Sequence, residues 1–169
     1  MLHFEAANPS NRATKAQLRD ISQRISHGLR HNYSIGANGP DRDVVTVISY
    51  GQILTPAALY GVIGAGGVYS AASPSSTLDE LARQVSVGKS NFIICGSEHQ
   101  DLAVRAAKKC GLPARNVLLL DSTAGGWSLR SVVGGVEVIS TDRLPWEKIT
   151  DAKRLKDSLI VILWSSGTT

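Results

Sequence analysis

The sequence predicts an α/β fold, with a parallel sheet flanked by helices. Three observations predict it. Short strand-like runs recur at 44–49, 68–71, 91–95, 117–120 and 159–164, the last continuous, apolar and rich in β-branched residues, as a strand buried on both faces should be. Stretches with helical apolar spacing lie between most of them. Three of those stretches open with Ser or Thr followed three residues later by Gln or Glu, the spacing of a capping box. Strands alternating with helices imply parallel pairing through right-handed crossovers.

The elements follow in order. Residues 1–13 contain Asn8-Pro9-Ser10-Asn11 and read as turn or loop. Thr14 and Gln17 cap a helix whose Leu18, Ile21, Ile25 and Leu29 share one face, and which should fade near Asn32. Residues 36–40 form a loop before the strand at 44–49. Residues 52–65 read as a helix buried almost all round, with Pro56 tolerable in its first turn. Gly66 and Gly67 end it, and the strand at 68–71 follows. Thr77 and Glu80 cap a third helix, with Leu78, Leu81, Ala82 and Val85 inward. After the strand at 91–95, Ser97 and Gln100 offer a third capping box. Its helix buries Leu102, Ala103, Ala106 and Cys110 and is stopped by Gly111 and Pro113. The strand at 117–120 comes next. Residues 122–157 carry no long periodic run and are expected to be loops plus short helices, or a join between two sheets of a larger body. The strand at 159–164 is the last element.

Composition narrows the function classes. The chain of 169 residues is long enough for one domain with a core of its own, and no domain boundary is visible inside it. The net charge is +4, but Lys and Arg are scattered among acids, with no basic run interleaved with aromatics. No nucleic-acid partner is expected. Cys95 and Cys110 fit no metal or redox spacing and read as buried, reduced thiols of an intracellular protein. His3, His27, His31 and His99 read as unclustered, so no metal site is expected. Residues 44–78 contain no Asp, Glu, Lys or Arg, but Pro56 and the five glycines between 51 and 67 argue against a membrane span.

Two glycine-containing stretches invite a phosphate reading. Gly64-Ala65-Gly66-Gly67 fails as a dinucleotide fingerprint, because Tyr69 replaces the third glycine and the order is helix then strand. Ser165-Ser166-Gly167-Thr168-Thr169 directly follows a strand and offers hydroxyls and backbone N–H groups, the donors that phosphate oxygens need. It is not a P-loop, having neither that spacing nor the lysine. Alone, it also fits an ordinary Ser/Thr-rich turn. Trp127, Trp146 and Trp164 read as packing residues.

The wider context adds a resemblance. Gly61 to Pro74, then Leu78-Asp79-Glu80-Leu81, then Trp164-Ser165-Ser166-Gly167-Thr168-Thr169 stand in an order and separation that resemble the adenylate-forming (AMP-binding) superfamily. The likeness is nearest to acyl- and aryl-CoA ligases of the 4-coumarate type found in fungi. Ala6 to Ser10 and Thr14 to Asp20 resemble the same family's early helix, so the likeness covers nearly the whole chain. It implies that residues 1–169 are an incomplete part of the large N-terminal AMP-binding domain, with the C-terminal domain absent. It implies that Ser165, Ser166, Gly167, Thr168 and Thr169 grip the ATP phosphates. It further implies ATP, Mg²⁺ and coenzyme A as cofactors and a small carboxylic acid as substrate, in the cytoplasm or peroxisome. The family's motif continues through a glycine and a Pro-Lys-Gly. This chain is therefore expected to have no complete catalytic set and to be inactive by itself. Two other readings stay open: a non-catalytic remnant acting as a binding or interaction module, with self-association through exposed apolar surface as one form of it, and an independent nucleotide-binding module.

Overall fold

A computed structural model describes residues 2–4, 8–39, 42–122 and 126–165. Helix α1 (Lys15–Tyr33) begins at Thr14, whose side chain accepts from the Gln17 N–H while Gln17 reaches back to the Thr14 N–H. Strand β3 (Val44–Ile48), helix α2 (Thr55–Gly64), strand β4 (Val68–Ala71) and helix α3 (Leu78–Val87) follow in the expected order. Thr77 and Glu80 form the second capping box at α3. Then come β5 (Ser90–Gly96), α4 (Gln100–Lys109) and β6 (Val117–Asp121). At the end of α4 the Leu112 N–H donates to Ala107 O and the Gly111 N–H to Lys108 O. That closure needs the left-handed φ of +72° that Gly111 adopts.

Four expectations are corrected. The sheet is mixed, not wholly parallel. Strand β7 (Ser128–Ser131) returns beside β6 and pairs with it antiparallel, Leu120 opposite Leu129, inside the stretch read as loop and short helix. The short helix there is α5 (Ala152–Asp157). The N-terminal segment is not only loop, since β1 (Leu2–Phe4) and β2 (Arg12–Thr14) form a two-stranded antiparallel ladder. The third capping box is absent. Residues 97–99 form a 3₁₀ turn, and α4 starts at Gln100 with no side-chain cap. Finally, strand β8 (Val161–Leu163) is not buried on both faces. It lies at the sheet edge, and Leu159, Ile160 and Leu163 are exposed.

The six-stranded sheet runs β7-β6-β5-β3-β4-β8, and every pair except β6–β7 is parallel. Side chains alternate across it. Val45, Val47, Phe92, Ile94, Leu118 and Leu120 face α1 and α2, while Ile48, Ile93, Cys95 and Val117 face α3 and α4. A strand covered on both faces is buried at every position, which is why 44–48 is apolar except at Thr46, whose hydroxyl pairs with Ser90 Oγ at 2.6 Å. Helices α1 and α2 approach closely at Gly61, where a Cβ would lie 2.9 Å from Ile25 Cβ. The same approach lets Ser26 Oγ donate to Gly61 O at 2.9 Å. Among the described residues, no helix is long and apolar enough to cross a membrane.

Candidate functional site at the carboxyl rim of the sheet

Because β3, β4, β5, β6 and β8 are parallel, the loops that follow them emerge at one rim. In open α/β sheets that rim is where ligands bind. Side chains tie the loops together. Glu98, after β5, accepts from the Tyr50 N–H, after β3, at 2.8 Å. His99 is buried, with Nε2 2.8 Å from Pro74 O, after β4, and Nδ1 3.1 Å from Glu98 Oε1. A carbonyl only accepts, so Nε2 is the nitrogen that donates to Pro74 O. Gln52 Nε2 donates to Ser49 Oγ at 2.9 Å and to Leu120 O, in β6, at 3.3 Å.

Burial by itself would raise the Glu98 carboxyl. The N–H groups of Glu98 and Tyr50 and the His99 ring outweigh it and hold the carboxyl below its ordinary value. Gly96 makes room for this arrangement, since a Cβ there would collide with the Glu98 carboxylate. Cys95, just below the rim, is buried, and burial with the Glu98 charge pushes its thiol up to about 12. Cys110 is only half-buried, contrary to expectation, and donates from Sγ to Ala82 O at 3.3 Å.

Strand β8 joins the rim from the edge. Its root residue, Trp164, donates from Nε1 to Ser70 Oγ at 2.9 Å. Ser165 follows directly and is exposed at the rim. The other four expected phosphate-holding residues, Ser166, Gly167, Thr168 and Thr169, lie outside the described residues. Ser165 is thus placed where a ligand can meet it, and the grouping of all five is not described. The motif as a set fits a polyanion, since it offers hydroxyl and N–H donors and no carboxylate.

The sequence reading missed the Glu98–His99 pair and the role of Trp164 beyond packing. Adjacent Glu and His after a strand was the available signal for the first. A tryptophan directly before the hydroxyl-rich loop was the signal for the second. It also missed that His27 and His31 are four apart on α1, where their rings lie 4.1 Å apart between centroids. Among the described residues, no three or more His, Cys, Asp or Glu side chains group as a metal site.

Comparison with known proteins decides the family. Residues 2–169 match the family model described as AMP-binding enzyme. The chain belongs to the AMP-binding enzyme family. It is 42% identical over 170 residues to a protein of Emericella nidulans named "Putative acyl-coenzyme A synthetase", covering 100% of this chain and 31% of that protein. It is 25% identical over 169 residues to a phenylacetyl-CoA ligase of Aspergillus niger, covering 99% of this chain and 30% of the relative. The chain therefore spans about three-tenths of the length of these relatives and corresponds to an N-terminal portion of the family. Among solved structures, ATP-bound MatB from Rhodopseudomonas palustris superposes with a TM-score of 0.68 at 21% identity, covering 99% of this chain and 30% of that one. MbtA from Mycobacterium smegmatis gives a TM-score of 0.67 at 24% identity, covering 93% of this chain and 27% of that one. At those identities the superpositions establish the shared fold, which is that of the N-terminal domain of adenylate-forming enzymes.

Proposed function

We propose that this AMP-binding chain is part of an ATP-dependent acyl- or aryl-CoA ligase, and that Ser165, Ser166, Gly167, Thr168 and Thr169 hold the β- and γ-phosphates of ATP. The observation that carries this is the position of Ser165: exposed, at the carboxyl rim, directly after a parallel strand. The acyl-coenzyme A synthetase and CoA ligase names of the fungal relatives support the reaction class. In that reaction a carboxylate oxygen bonds to the α-phosphorus of ATP as the bond to the β-phosphate breaks, giving an acyl-adenylate and pyrophosphate. The thiol of coenzyme A then attacks the acyl carbon, loses its proton and displaces AMP. Negative charge builds on the leaving pyrophosphate in the first step, and donors fixed around it lower that barrier. Mg²⁺ would travel with the nucleotide, sharing the same charge. ATP and coenzyme A as substrates assign the reaction to the cell interior, in cytoplasm or peroxisome.

Holding the phosphates fixes only one end of the nucleotide. Near-attack geometry also needs the acid held against the α-phosphate. By itself, this chain should therefore give little or no acid-dependent exchange of pyrophosphate into ATP. Amide NMR tests both statements. Millimolar MgATP should shift the amides of residues 165–169 saturably, while labelled pyrophosphate should not enter ATP when candidate acids are added. Unmoved amides overturn the phosphate reading, and clear exchange overturns the inactivity.

A second reading has an observation of its own. Leu159 and Ile160, just before edge strand β8, and Leu163 within it are 45%, 50% and 78% exposed. An apolar edge of this kind pairs readily with another strand. With a second copy as the occupant, sedimentation should show a concentration-dependent dimer that Leu163→Lys abolishes. A monodisperse monomer at high concentration overturns it.

A further inference from the structure

Among the described residues strand β8 has one strand partner, β4, and two of its three residues are half-buried while the third is exposed. Its backbone ladder alone does not fix where the following loop starts. Trp164 supplies three further contacts on the face that carries α3. Its Nε1–H donates at 2.9 Å to Ser70 Oγ, and Ser70 is fully buried in β4. Its ring lies over Gly88, where a Cβ would stand 3.3 Å from Cζ2, so a larger residue would crowd the ring. The Arg83 guanidinium carbon sits 5.9 Å from the ring centroid, within the range of a cation–π contact. Ser70 lies opposite Ile162 in the ladder, so its side chain shares a face with Ile162 and Trp164. The indole therefore reaches diagonally back across β4 and pins the end of β8 from the side.

We infer that Trp164 is a positioning residue: through its bond to Ser70 it fixes the root of the loop that begins at Ser165, and the affinity of that loop for a polyphosphate depends on the bond. This rests on the phosphate reading of residues 165–169. A loop that binds through backbone N–H groups and hydroxyls loses affinity when its first residue wanders, because donors must converge on one anion. Trp164 touches no substrate in this scheme, and acts only by holding Ser165.

The experiment uses the whole chain with Trp164→Phe, Ser70→Ala and the double variant. Phenylalanine retains most of the ring packing and removes the donor; alanine removes the acceptor. Each is titrated with Mg-tripolyphosphate, followed by the amides of 165–169, and amide hydrogen exchange is measured across 161–165. Each single variant should weaken binding by about fivefold to tenfold, the size of one hydrogen bond. The double variant should be no weaker than either single one, because both break the same bond. Exchange across 161–165 should quicken while the protection of β3 and β5 stays as it was. Wild-type affinity in Trp164→Phe overturns the inference, as do losses that add in the double variant. Should the unaltered chain bind no tripolyphosphate, the phosphate reading fails and the affinity part falls with it. Amide exchange then judges the anchor alone: unchanged exchange in both single variants overturns that as well.

Discussion

Glu98→Ala should cost this fold measurable stability although the residue lies on the surface. The carboxylate is the partner of His99 Nδ1, and the His99 side chain is 7% exposed. Truncation leaves that nitrogen buried with no acceptor or donor opposite it. The Tyr50 N–H also loses its acceptor, but Tyr50 is 62% exposed and water replaces the bond. The expected cost is thus that of one orphaned buried polar group, about 1–3 kcal/mol. For a chain of this size that is a fall in melting temperature of about 3–9 °C. Glu98→Gln should cost less, because an amide oxygen in the place of Oε1 can still accept from the Tyr50 N–H. Gly96→Ala should resemble Glu98→Ala, since its methyl displaces the same carboxylate. The pH dependence has a definite sign. The folded Glu98 carboxyl sits below its ordinary value of 4.5, so its contribution is complete above 4.5 and disappears as the pH falls through the lowered folded value. Urea denaturation at pH 7 and at pH 3.5 measures it. Equal stability of wild type and Glu98→Ala at pH 7 would refute the reasoning, as would a gap that widens in acid.

Gly61→Ala should lose up to about 2 kcal/mol, overpacking against Ile25 of about 1–3 offset by about 1 from helix propensity. Denaturant midpoints should show that loss shrinking in an Ile25→Ala background, since Ile25 is the group the new methyl strikes. Thr14→Ala removes the side-chain acceptor at the start of α1 and should cost about 1 kcal/mol, read by thermal unfolding followed by circular dichroism. With a thiol-disulfide reagent at pH 8, Cys110 should react and Cys95 should stay protected, because burial keeps its thiol protonated up to about 12. Both should react after unfolding; rapid reaction of Cys95 in the native chain would contradict the packing beneath the rim.

What the sequence disclosed was whatever it encodes locally. Thr14–Gln17 and Thr77–Glu80 are caps made within four residues, and both form. The same spacing at Ser97 and Gln100 fails. There Glu98 is engaged by the Tyr50 N–H, 48 positions earlier, and the turn tightens. Strand β7 escaped notice because a four-residue edge strand such as Ser128-Leu129-Arg130-Ser131 has one large apolar side chain to reveal it. The apolar run at 159–164 was legible as a strand but not as an edge, since the sequence does not state how many neighbours a strand has. At the candidate site, Ser165 falls at the rim as its place after a strand predicts. The ties that organise that rim join residues tens of positions apart, and no short pattern records them. Trp164 is the clearest instance, since packing alone would explain an indole at that position and its partner is Ser70.

The Ser70–Trp164 bond spans 94 positions, and β4 meets β8 only after α3, β5, α4, β6, β7 and α5 have intervened. Strands β3 to β6 are joined by short crossovers and can assemble early; closing the long loop to β8 carries the larger entropic cost. The order of folding is therefore built into the topology. On that ground the sheet from β3 to β6 is expected to form first and the β8 edge last. Until residue 164 has left the ribosome, β4 has an open edge that carries the polar Ser70 among its apolar neighbours. Refolding followed at the Trp164 indole should accordingly lag behind refolding followed by overall secondary structure.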